Sequence, residues 1–379
     1  MKRLLVLLPA LIIGLTRVSL ADSIAYSGLG PAQNVNIYVL GDFSESNTDA
    51  GGNGPSAGLG VAVGGNFAPA QNGSFTVHGD VTVGGNYTNG GATIDGSVYA
   101  YQNASFSNET IQGGVYVGNN VTISGGSAPT GGVYYTGSAS VPSYYQYLSP
   151  NPLHQISSAT FQASYQPIHF TSANAYLQSE STYLDSLATT LGVSYTKSGS
   201  NDIVTLSGTG QSFYDFQVDA SQFSKANTFV INVTGVGGQT PTVVVDVVNG
   251  NGNSAVQFPS LTPTLNGLDP QYLLYNFAIS NPLNTNHAGI LGSVLAPFSD
   301  VNFNGGNING TLIAGNLSGT GEAHAYQFLG TLPTDPSTVA VPEPSALALL
   351  SSTIPALLAG LYLRRRMTQA RDQVASLHS

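Results

Sequence analysis

Apolar and polar residues alternate in short bursts along most of this chain, and the bursts recur at nearly constant intervals. Val61, Val81, Val98, Val115 and Val133 are spaced 20, 17, 17 and 18 residues apart, and Val294 and Leu312 repeat the pattern 18 residues apart. Two residues before these positions stand Gly79, Gly96, Gly113, Gly131, Gly292 and Gly310. Four before stand Val77, Ile94, Ile111, Ile290 and Ile308, with Pro129 the exception. Five after the early positions lies a column of asparagines, Asn66, Asn86, Asn103 and Asn120. Short alternating strands with glycine corners and a period near 18 predict a mainly β protein of the β-solenoid kind, one coil per repeat. Residues of one column then stack about 4.8 Å apart, the spacing of neighbouring strands. The stretch VHGDVTVGGNYT, Val77 to Thr88, resembles a phosphate loop only in its glycines, because it lacks the lysine and the helix start such a loop needs. It reads as a coil corner where glycine permits positive φ and close approach, with an asparagine ladder at an inner turn.

The period is lost after Tyr145 and returns near Gly289. The expected coils therefore cover about 55–145 and 289–325, around an insertion of about 146–288. Within it, Leu177, Leu184, Leu187 and Leu191 recur at helical spacing and Gly192 follows. This predicts one amphipathic helix over 171–192, lying along the solenoid and ended by a glycine cap. The runs DIVTLSG, TFVINVTG and PTVVVDVV then predict further strands. The late coils are expected to stack on the early ones, so that 22–335 forms a single discontinuous domain.

Both ends read as addresses. Lys2 and Arg3, an apolar run from Leu4 to Leu15 and the small residues Ser19 and Ala21 predict a signal peptide over 1–21, cleaved after Ala21. After a linker over 336–345, the apolar segment 346–363 is just long enough to span a bilayer. Arg364, Arg365 and Arg366 open a basic tail, 364–379, expected on the cytoplasmic side. Between Asp22 and Val341 lie 17 acidic residues, two lysines and no arginine, a net charge of −15. A body with so few cations cannot neutralise phosphates, which excludes nucleic acid as a partner. Cysteine is absent, so disulfides, thiolate metal sites and cysteine nucleophiles are excluded.

Two resemblances rest on these features. Pro342, Glu343 and Pro344, the apolar span and the arginine cluster resemble a PEP-CTERM sorting signal, although the tail MTQARDQVASLHS is longer than usual. That resemblance implies an exosortase-type processing enzyme as partner and a transient membrane-anchored precursor. It also implies delivery to the outer surface or matrix of a Gram-negative bacterium that makes exopolysaccharide. VAVGGN at Val61 to Asn66, LLYNF at Leu273 to Phe277, and GSVLAP followed by GNINGTLIAGNLSG resemble the choice-of-anchor A domain. This second resemblance covers about residues 25–332 and implies an adhesin-like surface protein without catalytic residues. The coil, helix, coil order is also similar to ice-binding β-solenoids.

One column beyond the repeat valines stand Thr82, Tyr99, Tyr116 and Tyr134, continued by Leu295 and Ile313. The tyrosines offer a face for stacking on the sugars of an extracellular polysaccharide, or else they are buried beneath the helix at 171–192. Thr76, Thr93 and Thr110 form a column that would order water as an ice-binding face does, beside the irregular neighbours His78, Asp95 and Gln112. The body's histidines show no metal-ligand spacing. Glu322 and His324, two apart, share one strand face, while Asp80 and Asp95 fall in different columns and form no dyad. With no arginine to abstract a proton or steady an anionic sugar, lyase chemistry is disfavoured, and no enzyme, cofactor or metal is expected. Asp42, Glu45 and Asp49 in GDFSESNTDAGGNG match no calcium-loop spacing and read as a solvated loop.

Overall fold

The computed structural model describes residues 26–335, apart from 47, 70–74, 251, 253 and 261. Ala21, Pro342, Glu343, Pro344, Arg364, Arg365, Arg366 and the apolar segment 346–363 lie outside the described residues. Among those described, no helix is long and apolar enough to cross a membrane.

The repeat valines stack as expected. Val61, Val81, Val98, Val115 and Val133 are in parallel register, as are Val294 and Leu312, and all are fully buried. Each early coil has three short strands, for example Thr76–Val77, Val81–Val83 and Tyr87–Gly90, so the solenoid has three walls. The first wall belongs to a 14-stranded sheet. Its main path runs from Leu153–Gln155 through the early coils to Gly60–Val63 and Val35–Val39, then through Leu312–Gly319, Ser293–Phe303, Leu273–Asn276 and Thr242–Val248 to Phe213–Asp219. The second wall is a seven-stranded sheet that includes Thr76–Val77 and Glu322–His324. The third contains Tyr87–Gly90, Ala104–Ser107, Val121–Ile123 and Ala139–Ser140. Phe43, Phe67 and Tyr87 share one inward column, at 4.7 and 5.0 Å between ring centres, and Phe106, in register with Asn89, meets Tyr87 at 4.9 Å.

The chain thus starts in the middle of the stack, builds to one end, crosses to the other and builds back until Leu312–Gly319 pairs with Val35–Val39. This corrects the expected boundaries. A first coil begins at Val35, because Ile37 pairs with Val61 although Val35–Val39 lacks the repeat's glycine pattern. Residues 146–288 are not one insertion, since Leu153–Gln155, Phe213–Asp219, Thr242–Val248 and Leu273–Asn276 are rungs of the same sheet. Phe213–Asp219 and Thr242–Val248 are seven residues each and the connections between the late rungs are long, which hides the 18-residue period.

The crossing segment carries two helices, α1 at Ser158–Ser164 and α2 at Phe170–Leu187. Ser157 caps α1 by accepting a hydrogen bond from the Thr160 N–H at 3.1 Å. Helix α2 is shorter than 171–192. It stops before Ala188, and Gly192, with φ of +82°, turns the chain into strand Val193–Ser198 instead of capping the helix. Leu177 and Leu184 pack with Ala173 against Tyr38, Ala62, Leu274, Leu295 and Ile313, whereas Leu187 and Leu191 are exposed. Polar contacts fix the same seat. The Tyr38 hydroxyl donates to Asn174 Oδ1 at 2.9 Å, and the Ser181 hydroxyl donates to Asn276 Oδ1 at 2.6 Å.

The glycine corners are set by close packing. A Cβ on Gly79 would lie 2.3 Å from the Gly58 carbonyl oxygen, and one on Gly85 would lie 2.5 Å from that of Gly65. Neither glycine has positive φ, so stacking contact is what demands them.

Candidate adhesive face

The asparagine column forms a ladder, but on an exposed outer corner and not at an inner turn. Asn86 Nδ2 donates to Asn66 Oδ1 at 3.0 Å, Asn103 to Asn86 at 3.0 Å and Asn120 to Asn103 at 3.3 Å. The ladder extends beyond the residues seen in the repeat. Ser138 donates to Asn120 Oδ1 at 2.8 Å, Asn66 donates to Asp42 at 3.1 Å, the Asp42 N–H donates to Asn316 Oδ1 at 2.8 Å, and Asn316 donates to Asp300 at 2.7 Å. Each side chain is held by the next, so the row is rigid before any ligand arrives.

Beside it, the outward column of the third wall is a second row. Gln257, Asn284, Asn302 and Ser318 are in register, as are Thr88, Ser105, Thr122 and Ser140. Ser44 and Ala68 join the two halves, because Phe43 bridges Leu317 and Phe67, and Phe67 bridges Tyr87. Most of these side chains are exposed, and none carries a charge. Beneath the row the inward residues are apolar, from Val256, Leu283, Val301 and Leu317 through Phe43, Phe67 and Tyr87 to Ala104 and Val121. The sequence pattern missed this face, since its outward residues vary among Gln, Asn, Ser, Thr and Ala and its inward ones among Val, Leu, Phe, Tyr and Ala.

The tyrosine column is arranged differently from either expectation. Helix α2 covers Tyr38, Ala62, Leu295 and Ile313 of that column but does not cover Tyr99, Tyr116 and Tyr134, which are half-buried. Tyr99 stacks on Tyr116 at 5.0 Å and Tyr116 on Tyr134 at 5.1 Å; His154 continues the stack at 4.7 Å. Tyr165, just past α1, stacks on Tyr116 at 4.3 Å. Partial burial raises the phenols of Tyr99 and Tyr116 above the ordinary tyrosine range. Rings that cover one another's faces offer edges and hydroxyls to solvent, so the row is not a series of open platforms for sugar.

Thr76, Thr93 and Thr110 are in register on the second wall, but the column continues as Asp49, Glu322 and Asn307. The neighbouring column places His78 between two carboxylates, with Nε2 at 2.9 Å from Asp49 and Nδ1 at 2.9 Å from Asp95. Gln112 donates to the other Asp95 oxygen at 2.7 Å. Glu322 and His324 meet at 3.5 Å on the same wall. This surface is charged and irregular after three threonines, unlike the third wall. No cluster of three or more His, Asp or Glu among the described residues could hold a metal ion.

The segment from Gly41 to Gly54 is not a solvated loop. It supplies Asp42 to the ladder, Asp49 to the second wall, and Glu45 to the interior, where Glu45 is fully buried and accepts a hydrogen bond from the Gly321 N–H at 2.9 Å. Burial pushes the Glu45 carboxyl up to about 8. Glu109, also buried, accepts from the Tyr87 hydroxyl at 2.7 Å and is likewise raised to about 8 by burial. Sequence spacing gave no sign of either, because an isolated Glu in a polar stretch looks solvated.

A family model described as "Putative Ice-binding-like adhesive domain" matches residues 28–325. No curated protein and no solved structure matches the chain.

Proposed function

The chain belongs to the family of ice-binding-like adhesive domains, and from that membership we propose that it is a non-enzymatic surface adhesin that holds extracellular polysaccharide on its third wall. The observation that carries this reading is the pair of parallel rows on that wall, one a hydrogen-bonded Asn ladder and the other uncharged Ser, Thr, Ala and Asn. Donors and acceptors repeating about every 4.8 Å suit a long polymer laid across them, each contact weak and the sum strong. A body of net charge −15 repels acidic polymers, so attachment comes from hydrogen bonding or from calcium bridging two acidic surfaces. Retention on native matrix polysaccharide, with and without chelator, separates these routes. Retention that persists in salt and chelator is expected; no retention in either condition overturns the adhesive reading.

Ice or ordered-water binding is the second reading, favoured by the family match and by the regular register of the same wall. The mixed side chains of its rows favour a polymer over a lattice, and thermal hysteresis of a purified body would reverse that preference.

Sorting follows from the sequence ends. The resemblances to the choice-of-anchor A domain and to a PEP-CTERM signal support export, membrane retention during sorting, cleavage near Pro342 to Pro344 by an exosortase-type enzyme, and surface delivery. Mass spectrometry of the surface fraction should find a chain that starts near Asp22 and ends near Pro344. Peptides from MTQARDQ in that fraction would sink the sorting claim.

A further inference from the structure

One corner of the coils departs from the others. Where the first wall turns towards the asparagine ladder, neighbouring coils use glycine: Gly41, Gly64 and Gly65, Gly84 and Gly85, and Gly315. Strand Ser293–Phe303 instead places Pro297, Phe298 and Ser299 between Ala296 and Asp300, where the paired rung has Gly315 alone between Ala314 and Asn316. The inserted loop is held firmly. Pro297 and Ser299 are buried, the Ser299 hydroxyl donates to the Ile279 carbonyl at 2.9 Å, and a Cβ on Gly315 would lie 2.7 Å from the Ser299 carbonyl oxygen. Phe298 is 36% exposed, and no aromatic ring of a described residue lies against it. Two clefts meet at this ring. One, of about 610 Å³, lies between α2 and the ladder and is lined by Thr171, Gln178, Phe298, Asp300 and Asn316. The other, of about 390 Å³, continues along α2 past Gln178, Thr182 and Ser186, with Phe298 again in its lining. The Thr171 and Gln178 side chains make no hydrogen bond with a described residue, so both are available to a ligand.

We infer that these joined clefts are a saccharide subsite, in which one pyranose of a neutral polysaccharide packs on Phe298 and hydrogen-bonds to Thr171 and Gln178 on one side and Asn316 on the other. This rests on the adhesive reading for the class of polymer, but its ring and its helix side chains lie apart from the outward row of the third wall. Either volume falls within the range of small-ligand sites, and an apolar ring beside a few placed polar groups is the pattern such sites share. Asn316 is positioned in advance: its Nδ2 donates to Asp300 at 2.7 Å and its Oδ1 accepts from the Asp42 N–H at 2.8 Å, which leaves its second amide hydrogen for a sugar hydroxyl. The ladder thus leads a polymer to the ring. Asp300 stands at the rim and no lysine or arginine lines either cleft, so uronic acids are turned away. A bulky ring at a corner that elsewhere needs only glycine is explained by the ligand it meets, since a side chain left in water adds little to the fold.

The test uses the purified body with cellotetraose, maltotetraose and the N-acetylglucosamine tetramer as neutral probes, and tetragalacturonate as the acidic one. Binding is read by saturation-transfer NMR and calorimetry. Saturable binding of at least one neutral tetramer is expected, with tetragalacturonate at least about tenfold weaker. Phe298→Leu, which stays apolar but loses the ring, should weaken binding about tenfold, whereas Phe298→Tyr should stay close to wild type. Gln178→Ala should weaken it several-fold. Both sites lie at the surface, so melts of the variants should match wild type. Retention of the same protein on native matrix polysaccharide is read alongside. Retention without tetramer binding overturns the cleft and leaves the third wall standing, whereas tetramer binding that Phe298→Leu abolishes, without retention, supports the cleft and overturns the wall. The proposal is also overturned if Phe298→Leu binds as wild type does, or if the acidic probe is preferred.

Discussion

Val98→Asp is expected to abolish cooperative folding of the early coils. Val98 is fully buried between Val81 and Val115, and its neighbours up and down the column are valines for several rungs. A carboxylate placed there meets no partner, and burying it unpaired costs several kcal/mol, a large share of the roughly 5–15 kcal/mol that holds a domain. Coupling in a solenoid runs mainly between neighbouring coils, so the damage spreads outward from that rung. Thr122→Asp, on the exposed outward column of the third wall, serves as the control and should melt close to wild type. Circular dichroism melts of the two variants check this. A Val98→Asp protein that melts as wild type does would show that the rung is misplaced.

The second large effect is an inverted dependence on pH. The body should be most stable in mild acid, near pH 4.5 to 5, and should lose stability steadily toward pH 9. Glu45 and Glu109 are both raised from 4.5 to about 8, each by burial, so the folded chain keeps protons that the unfolded chain releases. Stability is then full below the unfolded value and falls as pH rises towards the folded one, by up to about 1.4 kcal/mol per pH unit for each group. Asp215 and Asp246, buried side by side at the base of α2, are both raised chiefly by burial and add to the same slope. Glu45→Gln should flatten the profile and melt higher than wild type at pH 9. A melting temperature that is level or rising between pH 5 and 9 would contradict the assignment.

The repeat was legible where one side chain type returned at one depth. Val81, Val98 and Val115 announce the core of the first wall because an inward strand position tolerates little but a branched apolar residue. The asparagine ladder was legible for the same reason, since each amide must match the next. Its exposure was not, because a ladder satisfies its own polar groups equally well inside or outside a corner. The first coil lacks the repeat signature because Val35 and not glycine stands two residues before Ile37, and Asn36 lies at a shift in register between them. Its amide meets the needs of the neighbouring backbone, donating to the Gly310 carbonyl at 2.8 Å and accepting from the Gly51 N–H at 2.6 Å. The late rungs were hidden by long connections such as the one holding Ala220–Lys225, a short helix capped by Asp219. The tyrosine column was found, but its packing was not, because strand register fixes which residues are neighbours and leaves open whether rings lie face to face.

The adhesive wall is tested most directly by comparing wild type with Thr88→Leu/Thr122→Leu for retention on native matrix polysaccharide, in chelator and physiological salt. Both sites are exposed on the outward column, so the two leucines should leave the melt unchanged while raising apolar bumps on a polar row. Retained wild-type protein and a variant that washes through at least about tenfold faster, equivalent to about 1.4 kcal/mol, is the expected result. Equal retention of the two proteins would contradict the assignment of the third wall as the adhesive face.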